Sequence, residues 1–494
     1  MLLNMKKKEE DEGMAETKKS DVGKGEAPNI VKEGRKLILP EGMSIAAGID
    51  WLQKKEREEN TMVAVQHEFA NAFPTDTLVN IQRALADIYN WVDNIPTPGF
   101  FGPNPPVMIT VRVGPGTGDF LQVPLGRVAL PGIKGHLETV LHGPRGRQPS
   151  AYLTGEVRQG DKPKVLEIIK RVEERLLETS IYRGKAIRIS WKWMRDGEAF
   201  DLGKHSPQFL DLTNADEAGL VFSEDVAKAI EQGLFTPIEQ TEACRINGVP
   251  LKRGVLLEGP PGTGKTLVAY VTAAKAVKNG WGFVYLDDVR DIRNGLALAR
   301  QYGRSVVFSE DMDRVVTGER DASMDEILNV LDGVDTKDQE IITVLTTNHI
   351  RAIIKPILRP GRVDTLLSTR PPDAEAAARL VVLYGRGLLD PTADIESVGN
   401  LLNGQIPAVI REVVERAKIA AIGRLKSAHI RGKVLATDLI TAAKAMKAHA
   451  DMLVEDGVPD TKRTVLIPVD IITKGTKTEQ VFNEDGDLKG EVAA

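Results

Sequence analysis

At 494 residues the chain is longer than one hydrophobic core accommodates, so it should divide into several domains. Hydrophobic residues at 42% and charged residues at 27% are ordinary globular proportions, and a formal net charge of −5 excludes bulk attraction to nucleic acid or acidic membranes, though a local basic patch stays open. The single cysteine, Cys244, excludes an internal disulfide and any multi-thiolate metal site, and it fits a reducing, cytoplasmic setting.

Residues 1–36 are rich in Lys, Glu, Asp, Gly and small polar types and lack aromatic residues, so they read as a disordered charged tail. No stretch approaches the ~20 apolar residues that span a bilayer, and the start lacks the apolar core of a secretory signal, so a cytoplasmic protein without a membrane contact is expected. Residues 37–205 read as an N-terminal α+β domain that engages a substrate or partner. Thr61–Val65 and Val107–Val113 have strand character, Thr77–Val92 and Lys164–Leu177 have helical spacing, and Lys185–Met194 is again strand-like. Val165, Ile169, Val172 and Leu176 share one face of the second helix. Gly114-Pro115-Gly116-Thr117-Gly118-Asp119 imitates a phosphate loop but lacks the Lys-Ser/Thr ending, and its place between two strands predicts a hairpin turn. Gly143–Arg147 reads as an exposed basic turn, and His136 and His142 lack the third ligand that a metal site needs.

From residue 206 strands and helices alternate, which predicts an α/β domain with a parallel sheet over 206–370. Gly254–Glu258, Gly282–Leu286, Ser305–Phe308 and Ile341–Leu345 are its strands, and Thr266–Lys278 is a helix. Residues 371–453 are Ala-rich and read as a helical lid, and 454–494 as a mostly mobile tail.

Gly259-Pro260-Pro261-Gly262-Thr263-Gly264-Lys265-Thr266 follows a buried strand and opens a helix, with Leu267 behind it. Glycines allow a tight turn that aims successive amides at phosphate oxygens, and the helix N-terminus adds its positive dipole end. Lys265 suits the β- and γ-phosphates of ATP, and the Thr266 hydroxyl suits Mg2+. Glu310, Asp311 and Asp313 follow the strand Ser305–Phe308. One acidic residue should hold hydrated magnesium and another should orient the attacking water.

These motifs resemble the AAA ATPase family over residues 206 to about 450, which implies a P-loop AAA module, a parallel sheet between helices with a helical lid, that hydrolyses ATP. Thr346-Thr347-Asn348 resembles the sensor-1 element, which implies that Asn348 positions the attacking water. Leu358–Asp364 resembles the second region of homology, which implies that Arg359 and Arg362 reach the nucleotide site of an adjacent subunit. Gly248–Gly254, the Glu-Asp order at 310 and 311, Leu328–Val334 and Thr346–His349 are similar to the branch of the mitochondrial Rieske-protein translocase. That likeness implies Glu310 on the magnesium side and Asp311 on the water side, and it leaves open which carboxylate is the effective base. The chain is expected to depart from that branch in lacking its N-terminal membrane helix, and it departs from many relatives in Lys355 and in Ile406–Arg411, where Arg411 is either a sensor-2 residue or a surface arginine.

An arginine supplied by a neighbour implies a homo-oligomeric ring, a hexamer or, if the likeness runs deep, a heptamer. The interval Asp287–Gly295 has no aromatic residue, which disfavours threading by an aromatic loop, and Trp281 and Tyr285 read as packing residues. The expected function is an ATP-driven, chaperone-like ring that remodels a protein client. Two alternatives are a nucleic-acid-associated motor, suggested by Arg411, Arg416, Lys418, Arg424, Lys426, Arg431 and Lys433, and a slow ATP-dependent switch or scaffold.

Overall fold

The computed structural model describes residues 31–33, 36–39, 42–70, 72–90, 92–143, 148–213, 215–314, 340–350, 363–426, 429–455, 478–482 and 488–493. The chain forms two compact units, one from residues up to 183 together with 191–206, the other from 184–190 together with 207 onward.

The first unit begins with the antiparallel pair β1 (Val31–Glu33) and β2 (Lys36–Ile38) and the helix α1 (Ile45–Asn60). Then come β3 (Met62–Phe69), α2 (Pro74–Ile88), β4 (Asp93–Asn94), β5 (Val107–Arg112), β6 (Phe120–Ala129), β7 (Gly135–His142), β8 (Ser150–Arg158) and α3 (Lys162–Glu178). The strands form an antiparallel sheet in the order β3-β8-β7-β6-β4, with β5 also paired to β6. Leu137, Leu153 and Val157 from the sheet meet Ile81 and Leu85 of α2 and Val165, Ile168 and Val172 of α3 in one core. Pro74 opens α2 at a position where its missing N–H costs nothing. The turn at 114–119 closes the β5–β6 hairpin, with the Val113 amide donating to the Asp119 carbonyl at 2.8 Å.

The second unit contains β9 (Ala186–Ile189), β10 (Gln208–Phe209), α4 (Glu224–Ile230), β11 (Arg253–Glu258), α5 (Lys265–Lys278), β12 (Gly282–Leu286), α6 (Ile292–Tyr302), β13 (Ser305–Ser309), β14 (Ile341–Thr347) and β15 (Thr365–Ser368). Its seven-stranded sheet runs β10-β9-β12-β13-β14-β11-β15 and is parallel except for β10. β12, β13 and β14 are buried along their whole length, as strands covered on both faces must be. Beyond the sheet, α7 (Ala374–Gly385), α8 (Ile395–Leu401), α9 (Pro407–Leu425) and α10 (Ala436–Glu455) pack around Leu380, Val398, Ile410, Val414 and Leu439. Asp373 caps α7 by accepting from the Ala376 amide at 2.8 Å.

The structure differs from the sequence reading at three places. The strand-like run 185–194 divides: Ala186–Ile189 pairs in register with Phe283–Leu286 and becomes β9 of the second unit, while Lys192–Arg195 is helical and stays with the first. Residues 31–33 and 36–38, placed partly in the charged tail, pair antiparallel as β1 and β2. Within the expected mobile tail, β16 (Thr478–Phe482) and β17 (Leu488–Ala493) pair antiparallel, where Val481, Leu488 and Val492 supply strand-forming residues. Among the described residues no helix is long and apolar enough to cross a membrane.

Candidate nucleotide site

Sheet order creates the site. β13, β14 and β11 are successive neighbours, so the segments that leave their carboxyl ends, Glu310–Asp313, Asn348 and the 259–266 loop, converge.

The loop's geometry depends on its glycines. Gly259 has φ +154°, and a Cβ there would stand 2.3 Å from the Thr369 hydroxyl and 2.5 Å from the Thr369 carbonyl. Gly264 has φ +99° and immediately precedes α5, whose amino end opens onto the loop. The Thr263 hydroxyl donates to the Pro260 carbonyl at 2.8 Å and lies 2.9 Å from the Thr369 hydroxyl, which ties the loop to the end of β15. Pro261 is exposed, and Leu267 packs, half-buried, against the core beneath the loop. Gly262 faces the start of α9, where a Cβ would lie 3.2 Å from Ile406 and 3.3 Å from Ala408.

Lys265 is buried, and its ammonium donates to the carbonyls of Gly259 (2.6 Å) and Pro260 (3.0 Å) and to Asn348 Oδ1 (2.8 Å). Burial lowers its pKa, while Asp311, Asp313, Glu258 and Glu310 pull the other way. Asn348 uses its other amide atom as well, donating from Nδ2 to Asp311 Oδ1 at 3.1 Å. It therefore bridges the loop lysine and one carboxylate.

The two acidic residues face different partners. Glu310 Oε1 accepts from the Thr266 hydroxyl at 2.6 Å. Asp311 lies on the Asn348 side, with φ +52°, a left-handed backbone that a non-glycine residue adopts at a cost of about 1–3 kcal/mol. Its amide is held by the Thr346 hydroxyl at 3.0 Å. Asp313 points elsewhere. Its Oδ1 accepts from the Thr347 hydroxyl and from the Asn348 amide, each at 3.0 Å. Burial would raise the Asp313 pKa, but these two bonds outweigh it and hold the carboxyl below its ordinary value.

Thr266 and Glu310 together offer a hydroxyl and a carboxylate oxygen, the hard donors that a magnesium ion takes, and they are already adjacent. Among the described residues there is no cluster of three or more His, Cys, Asp or Glu that could hold a metal ion.

Arg359, Arg362, Lys355, Leu328–Val334 and Pro144–Arg147 lie outside the described residues. Arg411 is exposed on the first turns of α9, near Tyr384 and Glu415. Of the basic residues suggesting nucleic acid, Arg416 pairs with Glu412 (2.8 Å) and Lys418 with Glu415 (2.9 Å) within α9, and Arg424 pairs with Asp438 of α10 (2.8 Å).

Sequence reasoning gave no role to Thr346 and Thr347 beyond membership of a motif, and it took Tyr285 as packing only. Trp281 does pack, fully buried, with its indole donating to the Thr241 hydroxyl at 2.8 Å. Tyr285 faces Glu310, and burial followed by that carboxylate raises its pKa. Arg188 of β9 stands over the Tyr285 ring at 5.6 Å and pairs with Asp287 at 2.6 Å. The signal for this contact was β-pairing between residues nearly a hundred positions apart, which no local motif encodes.

Residues 255–370 match the model of the family described as "ATPase family associated with various cellular activities (AAA)". The chain is 31% identical over 227 residues to the 26S proteasome regulatory subunit 8 homolog of Schizosaccharomyces pombe, covering 42% of this chain and 56% of that protein. It is 29% identical over 263 residues to the ATP-dependent zinc metalloprotease FtsH 2 of Symbiobacterium thermophilum, covering 48% and 44%. It is 27% identical over 274 residues to the proteasome-activating nucleotidase of Aeropyrum pernix, covering 50% and 65%. The chain thus spans about half the length of the first curated relatives it matches.

Proposed function

Starting from the AAA ATPase module that this chain carries, we propose that it binds ATP with magnesium at residues 259–267, hydrolyses it, and uses the energy to remodel polypeptide clients as a homo-oligomeric ring. The observation that carries this reading is the convergence of Lys265, Asn348 and Asp311 on one side of the loop with Thr266 and Glu310 on the other.

In this reading the loop amides and Lys265 bind the phosphates. Thr266 and Glu310 hold magnesium, which when bound neutralises charge on the phosphate oxygens. Asp311 and Asn348 orient a water toward the terminal phosphate, with Asp311 accepting its proton. Arg359 and Arg362 act across a subunit boundary, where a guanidinium can bridge phosphate oxygens as charge builds. Residues 37–205 form the client-engaging part, and 371–453 form the lid that moves with the nucleotide state. The relatives' names support a polypeptide client, since two are proteasomal and one is a protease.

Lys265→Ala should lose nucleotide binding, read with a fluorescent ATP analogue, and lose ATP turnover with it. Turnover unchanged in that variant would refute the assignment.

A further inference from the structure

Among the described residues the first unit carries a strand edge with no further partner strand, which the nucleotide site does not explain. β4 and β5 lie in succession along β6, with Asn94 opposite Val128 and Val107 opposite Leu125, and between them the chain leaves the sheet and returns. That excursion is closed by reciprocal backbone bonds between Thr97 and Asn104, at 3.0 and 2.8 Å. At its tip Phe100 and Phe101 are 96% and 99% exposed, packed edge to face on each other at 4.9 Å.

The hydrogen-bond phase of β5 follows from the turn. Val113 bonds to Asp119, so the pairs Val111–Leu121, Ile109–Val123 and Val107–Leu125 exchange the ladder bonds. Pro124, which has no N–H, accordingly falls opposite Met108 in the other phase. Met108, Thr110 and Arg112 therefore turn their backbone N–H and C=O groups away from β6, and among the described residues β5 pairs with β6 alone. Natural edges are usually guarded by charges. Here β5 carries a single charge, at its last residue Arg112 opposite Phe120, no other charged residue lies between it and Asp93, and Val107, Met108 and Phe120 are about half exposed.

We propose that β5 and the Phe100–Phe101 tip form a docking surface for an extended, apolar segment of a polypeptide client, which adds to the sheet as a strand beside β5. Outward-facing N–H and C=O groups are matched by another peptide backbone and not by lipid, and the one basic residue of β5, Arg112, already donates to the Gly114 and Pro115 carbonyls, which leaves little attraction to anionic headgroups. The two phenylalanines supply the large apolar anchors that concentrate binding energy. This proposal rests on the polypeptide-remodelling reading and names its contact surface.

The test uses the full chain and fluorescein-labelled casein, an unfolded polypeptide, read by anisotropy. Thr110→Pro removes one outward N–H and leaves the β5–β6 ladder bonds intact, and the double variant Phe100→Ser/Phe101→Ser removes the anchors. Each should weaken casein binding at least tenfold, while ATP turnover without client stays within twofold of wild type. If Thr110→Pro melts lower than wild type, Met108→Lys repeats the edge test with the N–H retained, and the same tenfold loss is expected. Casein binding equal to wild type in the edge variants, or no casein binding by the wild type, overturns the proposal. So does flotation with phosphatidylcholine vesicles that the Phe double variant abolishes, or a change of assembly size on gel filtration, which would make the edge a contact between copies. Turnover in the same samples separates failure of this surface from failure of the ATPase reading.

Discussion

Asp313 illustrates how one carboxylate acts through another residue. It lies two positions beyond Asp311 but accepts both the amide of Asn348 and the hydroxyl of Thr347, so it fixes the residue that touches Lys265 and Asp311. In the proposed reaction its part would be to hold Asn348, with no proton transfer of its own. Asp313→Ala should lower ATP turnover by about ten- to a hundredfold with nucleotide affinity changed by only a few-fold, because misplacement of an orienting group falls on the chemical step. Asp313→Asn keeps an acceptor oxygen and should recover much of the loss, a rescue that generic destabilisation would not give. The left-handed backbone at Asp311 belongs to the same scale. The Thr346 hydroxyl on its amide and Asn348 on its side chain hold a conformation that the residue would not adopt by itself.

Among the elements of the first unit, Asp161 joins three. Its carboxylate accepts from the Lys134 amide ahead of β7, from Arg158 at the end of β8 and from Lys164 in α3. Burial would raise its pKa, but these donors hold it at about 2. With the folded value below the ordinary ~3.9, the unfolded chain binds the proton more readily, so the stabilisation is complete above about pH 4 and is lost as pH falls toward 2. In melts followed by circular dichroism, wild-type stability should fall between pH 4 and 2, and Asp161→Asn should be less stable at pH 7 with a flatter acid limb. Elements were legible from the sequence where the information is local. The α5 helix, its glycine loop and the buried strands beside it could be read because phosphate binding needs contiguous residues and a doubly covered strand needs an unbroken apolar run. β9 could not be read in place, since Ala186–Ile189 suits either sheet and only pairing with Phe283–Leu286 decides between them. The Tyr285–Glu310 approach, with Arg188 behind it, escaped for the same reason. The division of Glu310 and Asp311 was legible only through the family resemblance, and the contacts that carry it, Thr266 to Glu310 and Asn348 to Asp311, depend on the left-handed backbone at Asp311, which no local pattern encodes.

At the scale of the whole molecule, the proposed ring would make the nucleotide site a shared property. If Arg359 serves a neighbour, Asp311→Asn and Arg359→Ala proteins should each be inactive alone, yet co-expressed and co-purified mixtures should regain roughly a quarter of wild-type turnover, since random placement pairs intact halves at about one interface in four. No recovery in a co-purified mixture would place each active site within one chain. Within each site, the proposed chemistry requires the two carboxylates to be divided between metal and water. The most direct measurement is ATP-analogue binding as a function of magnesium concentration, paired with single-turnover hydrolysis, for Glu310→Gln and Asp311→Asn. Asp311→Asn should bind magnesium-ATP within about twofold of wild type and hydrolyse it about a hundredfold more slowly or worse, while Glu310→Gln should lose the magnesium dependence of binding. Magnesium-dependent binding that survives in Glu310→Gln but fails in Asp311→Asn, or turnover unaltered in Asp311→Asn, would contradict it.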